Sequence, residues 1–257
     1  MDFTFSEITQ WLGLLWWPFI RITGFFLIAP FFGDQSLPAE VRILLSLAFT
    51  LLCAPLIGEV PAVNPFSFGA VLLTLTQLAY GAMLGFALLI FFTIYTMAGQ
   101  AISMQLGLAM AVMNDPSSGV SVAIIGRFFQ ILCSLLFLAF DGHLVVLALF
   151  KESFVVFPID IVMPFDSFAH ILKMVGWMFS AALMLAIPAI CVMQISQVTF
   201  GFMNKAAPSF NVFALGFPMT MTIGLFALGL SFTGVGDSYL DNVLQMLDHF
   251  RLLMENQ

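Results

Sequence analysis

The sequence predicts an all-α membrane protein. Of its 257 residues, 61% are hydrophobic and 8% are charged, against about 25% charged residues in an ordinary soluble domain. The mean hydropathy is +1.09, and apolar runs of helical length follow one another along almost the whole chain. A soluble protein is excluded. Because no Ser/Gly-rich linker interrupts the apolar runs, the sequence predicts one integral domain over residues 1–257.

About six apolar helices are predicted, since roughly 20 apolar residues cross a bilayer core. Their runs are 11–32, 41–57, 69–98, 120–150, 170–203 and 212–233. Polar segments with Pro, Gly or Asn separate most of them. Polar residues inside the runs, such as Gln77 and Gln194, favour contacts between helices over contacts with lipid.

Two arginines lie well inside apolar runs and not at their ends, Arg21 in the first and Arg127 in the fourth. A charge at the bilayer centre costs on the order of 2.5 to 3.5 kcal/mol even on lenient insertion scales. Each arginine is therefore expected to be held by an ion pair or a carbonyl cap within an assembly, or else to line a conduit. Asp115, Asp141 and Glu40, or acidic groups on other subunits, are the alternative ion-pair partners.

No active site, cofactor site or metal site is predicted. The three histidines are far apart in sequence, and the chain contains no zinc-protease, nucleophile-elbow or phosphate-loop motif. Asp141 and His143 are two residues apart, so they do not face each other on a helix. The segment is interpreted as a polar helix junction, in which Gly142 permits a kink. The net charge of −7 and the scattered basic residues also argue against nucleic-acid binding.

Residues 99–119, GQAISMQLGLAMAVMNDPSSG, form the most conspicuous segment between apolar runs. Three glycines loosen it, and the sequence Asn-Asp-Pro at 114–116 ends any helix. Met104, Met110 and Met113 supply long, deformable side chains. From composition alone these methionines fill core space, or they close a channel that reopens around a substrate.

The segment 201–218, GFMNKAAPSFNVFALGFP, is a polar turn between two apolar runs. Lys205 and Pro208 lie in it, with the turn itself expected at 204–211. Lipid offers no hydrogen bonds to irregular backbone, so such a turn at membrane depth must be housed by protein. The turn therefore predicts an assembly.

Residues 238–257 are predicted to form an amphipathic helix that docks on a protein partner, because its polar face is mostly acidic. The predicted apolar stripe consists of Leu240, Val243, Leu244, Leu247, Phe250 and Met254. The residues off that stripe include Asp241, Gln245, Asp248 and Glu255.

The segments 99–119 and 201–218, together with WPFIRITGFFLIAPFFGDQSLPAEVR at 17–42 and FDGHLVVLALF at 140–150, resemble the R-component family of the type III protein export gate. That family serves flagella and, in a counterpart, injectisomes. The resemblance covers nearly the whole chain. It implies membrane-associated helical hairpins within a hetero-oligomeric helical export gate, in which this chain is a core subunit and not an enzyme.

The resemblance also implies partners and a location. The expected partners are the P and Q components, with which the chain would form the channel, then the B and A export components, unfolded flagellar proteins and membrane lipid. The expected location is the bacterial inner membrane, in the flagellar basal body. An injectisome gate subunit is one alternative. A second is an autonomous small-solute transporter, although the two halves of the chain show no convincing inverted repeat.

Site residues follow from the same resemblance and from the patterns above. The predicted channel plug comprises Met104, Gln105, Leu106, Gly107, Met110, Met113, Asp115 and Pro116. The predicted buried charges and subunit-packing residues are Arg21, Arg127, Asp141, Lys205, Pro208, Phe210 and Asn211.

Overall fold

The protein is all-α, as its sequence predicts. A computed structural model describes residues 5–30, 38–56, 63, 67–107, 124–159, 165–206 and 212–255, and no β-strand occurs within these ranges. They contain eight α-helices and the short 3₁₀ turns Ala54–Leu56 and Phe232–Gly234. The helices are α1 (Phe5–Ile28), α2 (Ala39–Cys53), α3 (Phe68–Gln105), α4 (Ile124–Ala139), α5 (Gly142–Val156), α6 (Phe165–Ala206), α7 (Val212–Ser231) and α8 (Val235–Glu255).

Three helical stretches among the described residues are long and apolar enough to cross a membrane: Phe68–Gln105, Ala169–Ala206 and Pro218–Leu252. A fourth span is obtained if α4 and α5, bent by 71° at their junction, count as one. Helix α2 has 15 residues, fewer than the roughly 20 that a span needs. The predicted membrane class is confirmed, whereas the count of about six is not.

The two longest helices differ in how much of their surface the chain covers. In the most apolar window of α3, 67% of the residues are buried, against 28% in that of α6. Since both windows are strongly apolar, the difference lies in the surroundings and not in the composition. Helix α3 is enclosed by this chain, and α6 presents most of its apolar surface outward.

The contacts divide the chain into two compact units. Unit 1 comprises residues 1–90, 137–174 and 247–257, and unit 2 comprises 91–136 and 175–246. Each unit is built from segments distant in sequence. The expectation of a single integral domain stays a prediction.

Unit 1 depends on a close crossing of α1 and α3. A side chain at Gly81 would overlap the backbone carbonyl of Arg21, and one at Gly85 would lie 2.7 Å from the carbonyl oxygen of Phe25. From the other side, a Cβ at Gly24 would lie 2.5 Å from the carbonyl oxygen of Leu78. Small residues four apart allow two helix backbones to touch in this way.

Unit 2 has an aromatic core between α3 and α8. The rings of Phe91 and Tyr239 pack edge to face with centroids 5.5 Å apart. Asn242 is buried, and its Nδ2 donates a hydrogen bond to the hydroxyl of Tyr95 at 3.3 Å. This bond satisfies a polar side chain that would otherwise be costly inside the core.

The buried face of α8 differs from the predicted stripe. The structure buries Val235, Tyr239, Asn242, Met246 and Phe250, while it exposes Leu240 and Leu244. The predicted stripe consists of apolar residues that share one face of the helix. The buried face lies beside it, because Tyr239 and Asn242 contact residues of α3 there. Of the predicted stripe, Phe250 is buried in the chain and Leu240 and Leu244 remain on its surface.

The fourth apolar run is two helices, not one. Asp141 adopts φ 54°, a left-handed conformation, so α4 ends at Ala139 and α5 begins at Gly142. The sequence predicts the junction correctly but assigns the kink to the wrong residue. Gly142 lies against the ring of Phe137, which a Cβ would overlap. Glycine is thus explained here by packing, and the turn is made by the aspartate, one of the few non-glycine residues that tolerate it.

Candidate functional site

Arg21 lies fully buried in unit 1. Its Nε donates to Oε1 of Gln77 at 2.8 Å, its Nη1 to the carbonyl of Ser153 at 2.8 Å, and its Nη2 to the carbonyl of Phe157 at 2.7 Å. The guanidinium also lies over the ring of Phe154, 4.1 Å from the centroid. The charge is therefore held by dipoles and an aromatic face rather than by a carboxylate.

The end of helix α5 brings these carbonyls to the cation. Helix α5 ends at Val156, and the last carbonyls of a helix carry the negative end of its dipole. The carbonyl of Ser153 accepts from the N–H of Phe157 at 3.0 Å as well as from Arg21, because a carbonyl oxygen has two lone pairs. A cation placed there is stabilised without an ion pair. Gln77 completes the arrangement, because its Nε2 donates to the carbonyl of Ile159 at 3.1 Å while its oxygen accepts from Arg21.

Arg127 has a different environment from Arg21. It is exposed on α4 in unit 2, and its Nη1 donates to Oε1 of Gln130, three residues along, at 2.9 Å. Asp141 and Lys205 are exposed as well. Among the described residues, none of the hydrogen bonds of Arg21 involves Asp141 or Glu40. The assignment of Arg127, Asp141 and Lys205 to subunit packing stays a prediction.

Helix α6 extends into the segment 204–211, where the sequence predicts a turn. Helix α6 continues through Lys205 to Ala206, and α7 begins at Val212. Lys205 thus occupies the last turn of α6, where a cation interacts favourably with the helix dipole. Pro208, Phe210 and Asn211 lie outside the described residues.

The described part of the predicted plug is the end of α3. Met104 is 70% exposed, Gln105 is half-buried and Leu106 is 3% exposed. Gly107 adopts φ 76°, and its N–H donates to the carbonyl of Met104 at 3.1 Å. A left-handed glycine of this kind ends a helix. Met110, Met113, Asp115 and Pro116 lie outside the described residues.

Two histidines that are far apart in sequence come together in unit 1. The ring centroids of His170 on α6 and His249 on α8 are 6.0 Å apart. No periodicity in the sequence indicates this pair. Within the part of the chain that the structure describes, no group of three or more His, Cys, Asp or Glu residues is placed to hold a metal ion.

Sequence reasoning missed most of the groups that hold Arg21. Gln77 gave a signal, as an amide inside an apolar run. Phe157 acts through its backbone carbonyl, which every residue possesses, and Ser153 acts through its carbonyl and, at 3.4 Å, its hydroxyl. For these two residues the indication in the sequence was the helix end that precedes Pro158.

Comparison with known proteins identifies relatives along the chain. Residues 12–246 match the family profile described as bacterial export proteins, family 1. The flagellar biosynthetic protein FliR of Pectobacterium carotovorum subsp. carotovorum is 35% identical over 90% of this chain and 88% of its own length. FliR of Escherichia coli (strain K12) is 33% identical over 88% and 86%. FliR of Caulobacter vibrioides is 30% identical over 90% and 93%.

Proposed function

The chain belongs to family 1 of the bacterial export proteins and is a membrane component of a flagellar export apparatus, and from this membership we propose that it is a core subunit of the export gate. It assembles with the P and Q components into a helical channel for unfolded flagellar proteins. It catalyses no reaction and binds no cofactor. Its place is the bacterial inner membrane, in the flagellar basal body, next to the B and A export components.

The exposed surface of α6 is the main support for the proposal that the chain is a subunit of a complex. In unit 2 this helix exposes large apolar residues such as Met184 and Ile195. Beside them it exposes the amide of Gln194. Lipid suits the apolar side chains but not the amide, because it offers an amide no hydrogen bonds. A protein partner satisfies both, which favours a subunit of a complex over an autonomous transporter.

The plug is proposed from the end of α3. The chain leaves a long buried helix at Gly107, directly before Met110 and Met113. Methionine side chains are flexible and polarisable, and they pack against many shapes. Such residues close a channel that holds no substrate, and they move aside when an unfolded chain passes through.

The direct test replaces Met110 and Met113 together by Ala in the chain co-expressed with the P and Q components. Loss of deformable bulk at the constriction should give ion leakage through assembled complexes in planar bilayers, while gel filtration shows a normal yield. The matched control replaces Met219 and Met221 on α7, of which the first is exposed and the second half-buried. It removes the same side chains elsewhere and should not leak. If the double variant at 110 and 113 gives a reduced yield of complex but no ion leakage, the proposal of a plug is contradicted.

Co-purification distinguishes the alternatives. A tagged chain should bring down the P and Q components and should aggregate when expressed alone. A monodisperse, fully helical chain in detergent without partners would instead support an autonomous transporter. The flagellar names of the relatives favour a flagellar gate over an injectisome gate.

A further inference from the structure

Near its start, helix α8 presents an uncovered face on the side away from its contacts with α3. Leu240 and Leu244 lie one turn apart in a row and are 43% and 61% exposed. Asp237 and Asp241 are also one turn apart and exposed. They form a second row beside the leucines, because residues four apart lie on the same side of a helix. We call these four residues, all of which belong to unit 2, the leucine–aspartate face.

Two contacts within unit 2 hold this face in a fixed orientation. On the opposite side of α8, the ring of Tyr239 packs against Phe91 of α3. At the edge of the face, Oε1 of Gln245 accepts a hydrogen bond from Nε1 of Trp177 on α6 at 2.6 Å. The helix cannot turn its leucines inward without losing both contacts. The face is therefore preorganised for a partner, which lowers the entropy cost of binding.

The aspartates of this face make lipid an unsuitable cover for it. A carboxylate is costly in the hydrocarbon core, and anionic lipid head groups repel it. Leucines one turn apart are, in contrast, the usual anchors of a contact between two helices. The face thus combines apolar anchors with a negative border, which favours a protein segment that carries positive charge.

The chain's own Lys and Arg residues do not cover these aspartates. All seven of them lie in the described ranges. Among the described residues, neither Asp237 nor Asp241 takes part in an ion pair, whereas Asp248 pairs with Arg251. A symmetric contact with a second copy of the chain would bring the same aspartates together, which is repulsive. The complementary charge is therefore expected from a different protein.

We propose that the leucine–aspartate face binds a basic amphipathic helix of another subunit. Apolar residues of that helix, three or four positions apart, pack on Leu240 and Leu244. Lys or Arg residues beside them face Asp237 and Asp241, as charges do along the border of a coiled-coil contact. The inference rests on the proposed function, since it treats the chain as a subunit, and it adds the surface and the chemical character of the partner.

The test places a photo-crosslinking benzophenone amino acid in place of Leu244, in cells that carry the complete export apparatus. Mass spectrometry of the digested product identifies the segment that is joined to position 244. The expected segment carries Lys or Arg residues at helical spacing beside an apolar row. The matched control puts the same crosslinker in place of Leu230, which is exposed on α7 of the same unit. The control should not capture that segment.

Charge reversal tests the aspartates. Asp237→Lys and Asp241→Lys together should lower the yield of the crosslinked product on the order of tenfold, because two attractive pairs become repulsive. The corresponding Asn variants keep the shapes and should give a smaller loss. Glu152→Lys, at an exposed acidic residue of α5, is the matched control and should leave the yield unchanged.

Two further measurements keep the charge reversal interpretable. The unfolding temperature of the double-lysine variant should match that of the parent chain, because both aspartates are exposed. Glu substitutions at the captured Lys or Arg residues of the partner should restore the yield in the double-lysine background. This restoration is expected from a direct charge contact and not from a general disturbance of the helix.

The outcomes separate this inference from the proposed function. Capture of nothing, of lipid, of a second copy of this chain or of a segment without Lys or Arg overturns the basic helix. A normal yield in the double-lysine variant also overturns it. If the P and Q components co-purify with the chain and one of these results is found, the gate subunit stands and the inference falls. If they do not co-purify but position 244 captures a basic helix with the expected charge reversal, the face binds its partner and the gate assignment falls.

Discussion

Arg21 and Arg127 look alike in the sequence and differ in the structure. Both are single cations inside long apolar runs. Arg21 is fully buried in unit 1 and is capped by Gln77 and by two carbonyls near the end of α5. Arg127 is exposed in unit 2 and bonds to Gln130 on its own helix.

The difference shows what a charge in an apolar helix indicates. Hydropathy detects the cost of the charge, which is similar at both positions. It does not detect whether the chain itself offsets that cost. Unit 1 supplies the acceptors for Arg21, so this arginine belongs to folding. Arg127 lies on the surface of unit 2, as does the amide of Gln194 on α6, so we expect it to contribute to assembly and not to folding.

The largest effect is expected for Arg21→Leu. The substitution leaves the carbonyl of Phe157 and the oxygen of Gln77 buried without the donor that Arg21 supplies, at about 1 to 3 kcal/mol for each group. The carbonyl of Ser153 keeps the N–H of Phe157. Unit 1 should lose on the order of 3 to 5 kcal/mol of stability. Thermal unfolding of the co-purified complex, together with its yield, measures the loss.

Arg21→Lys tests the geometry of the cap. A lysine keeps the charge but lacks the planar fork that serves three acceptors, so it should recover only part of the stability. Full recovery would mean that the charge alone matters. A normal yield of Arg21→Leu with altered export would assign Arg21 to the conduit instead.

The sequence predicted that the charge of Arg21 has a free-energy cost and that an ion pair or a carbonyl cap offsets it. It did not indicate which of the two occurs. The choice depends on where α5 ends relative to α1, which no local pattern encodes. The kink at 141 shows the same limit, because the junction was evident from FDGH while the buried contact of Gly142 with Phe137 was not. In α8, apolar spacing selected Leu240 and Leu244, and a hydrogen bond between Asn242 and Tyr95 selected another face.

The periodic and compositional features were predictable. Long apolar runs gave the all-α class and most helix positions, and the glycines and polar breaks gave most helix ends. The candidate plug was evident as a segment because its residues are unusual in type.

The second effect is expected for Gly81→Ala, which tests whether the Arg21 site needs the close crossing of α1 and α3. The added Cβ would overlap the backbone of Arg21, and backbone cannot rotate away as a side-chain end can. The helices must therefore separate, at roughly 1 to 3 kcal/mol or more. A fall in the unfolding temperature of the complex measures this cost.

Gly176→Ala is the control for that substitution, because a Cβ there would meet nothing within 4 Å. It should leave the unfolding temperature unchanged or raise it slightly, since alanine favours the helix. Equal effects at 81 and 176 would show that the stability change comes from helix propensity and not from the crossing.

The smallest effect on the chain itself, and the sharpest test of the comparison, is expected for Arg127→Leu. An exposed side chain away from the core changes folding stability by about 0.5 kcal/mol or less, so the unfolding temperature of whatever complex forms should stay close to that of the parent. The yield of that complex should nevertheless fall, because an acceptor on a partner subunit loses its cation.

Two variants serve as controls for this fall in yield. Arg127→Lys retains the charge and should restore much of the yield. Arg251→Leu removes an exposed arginine that bonds only weakly to Asp248, at 3.8 Å, and should leave the yield unchanged. Gel filtration of complexes co-expressed with the P and Q components gives all three yields. If Arg127→Leu assembles as well as the parent chain, Arg127 is a solvated surface charge, and the exposed polar groups of unit 2 no longer indicate a subunit interface at α4.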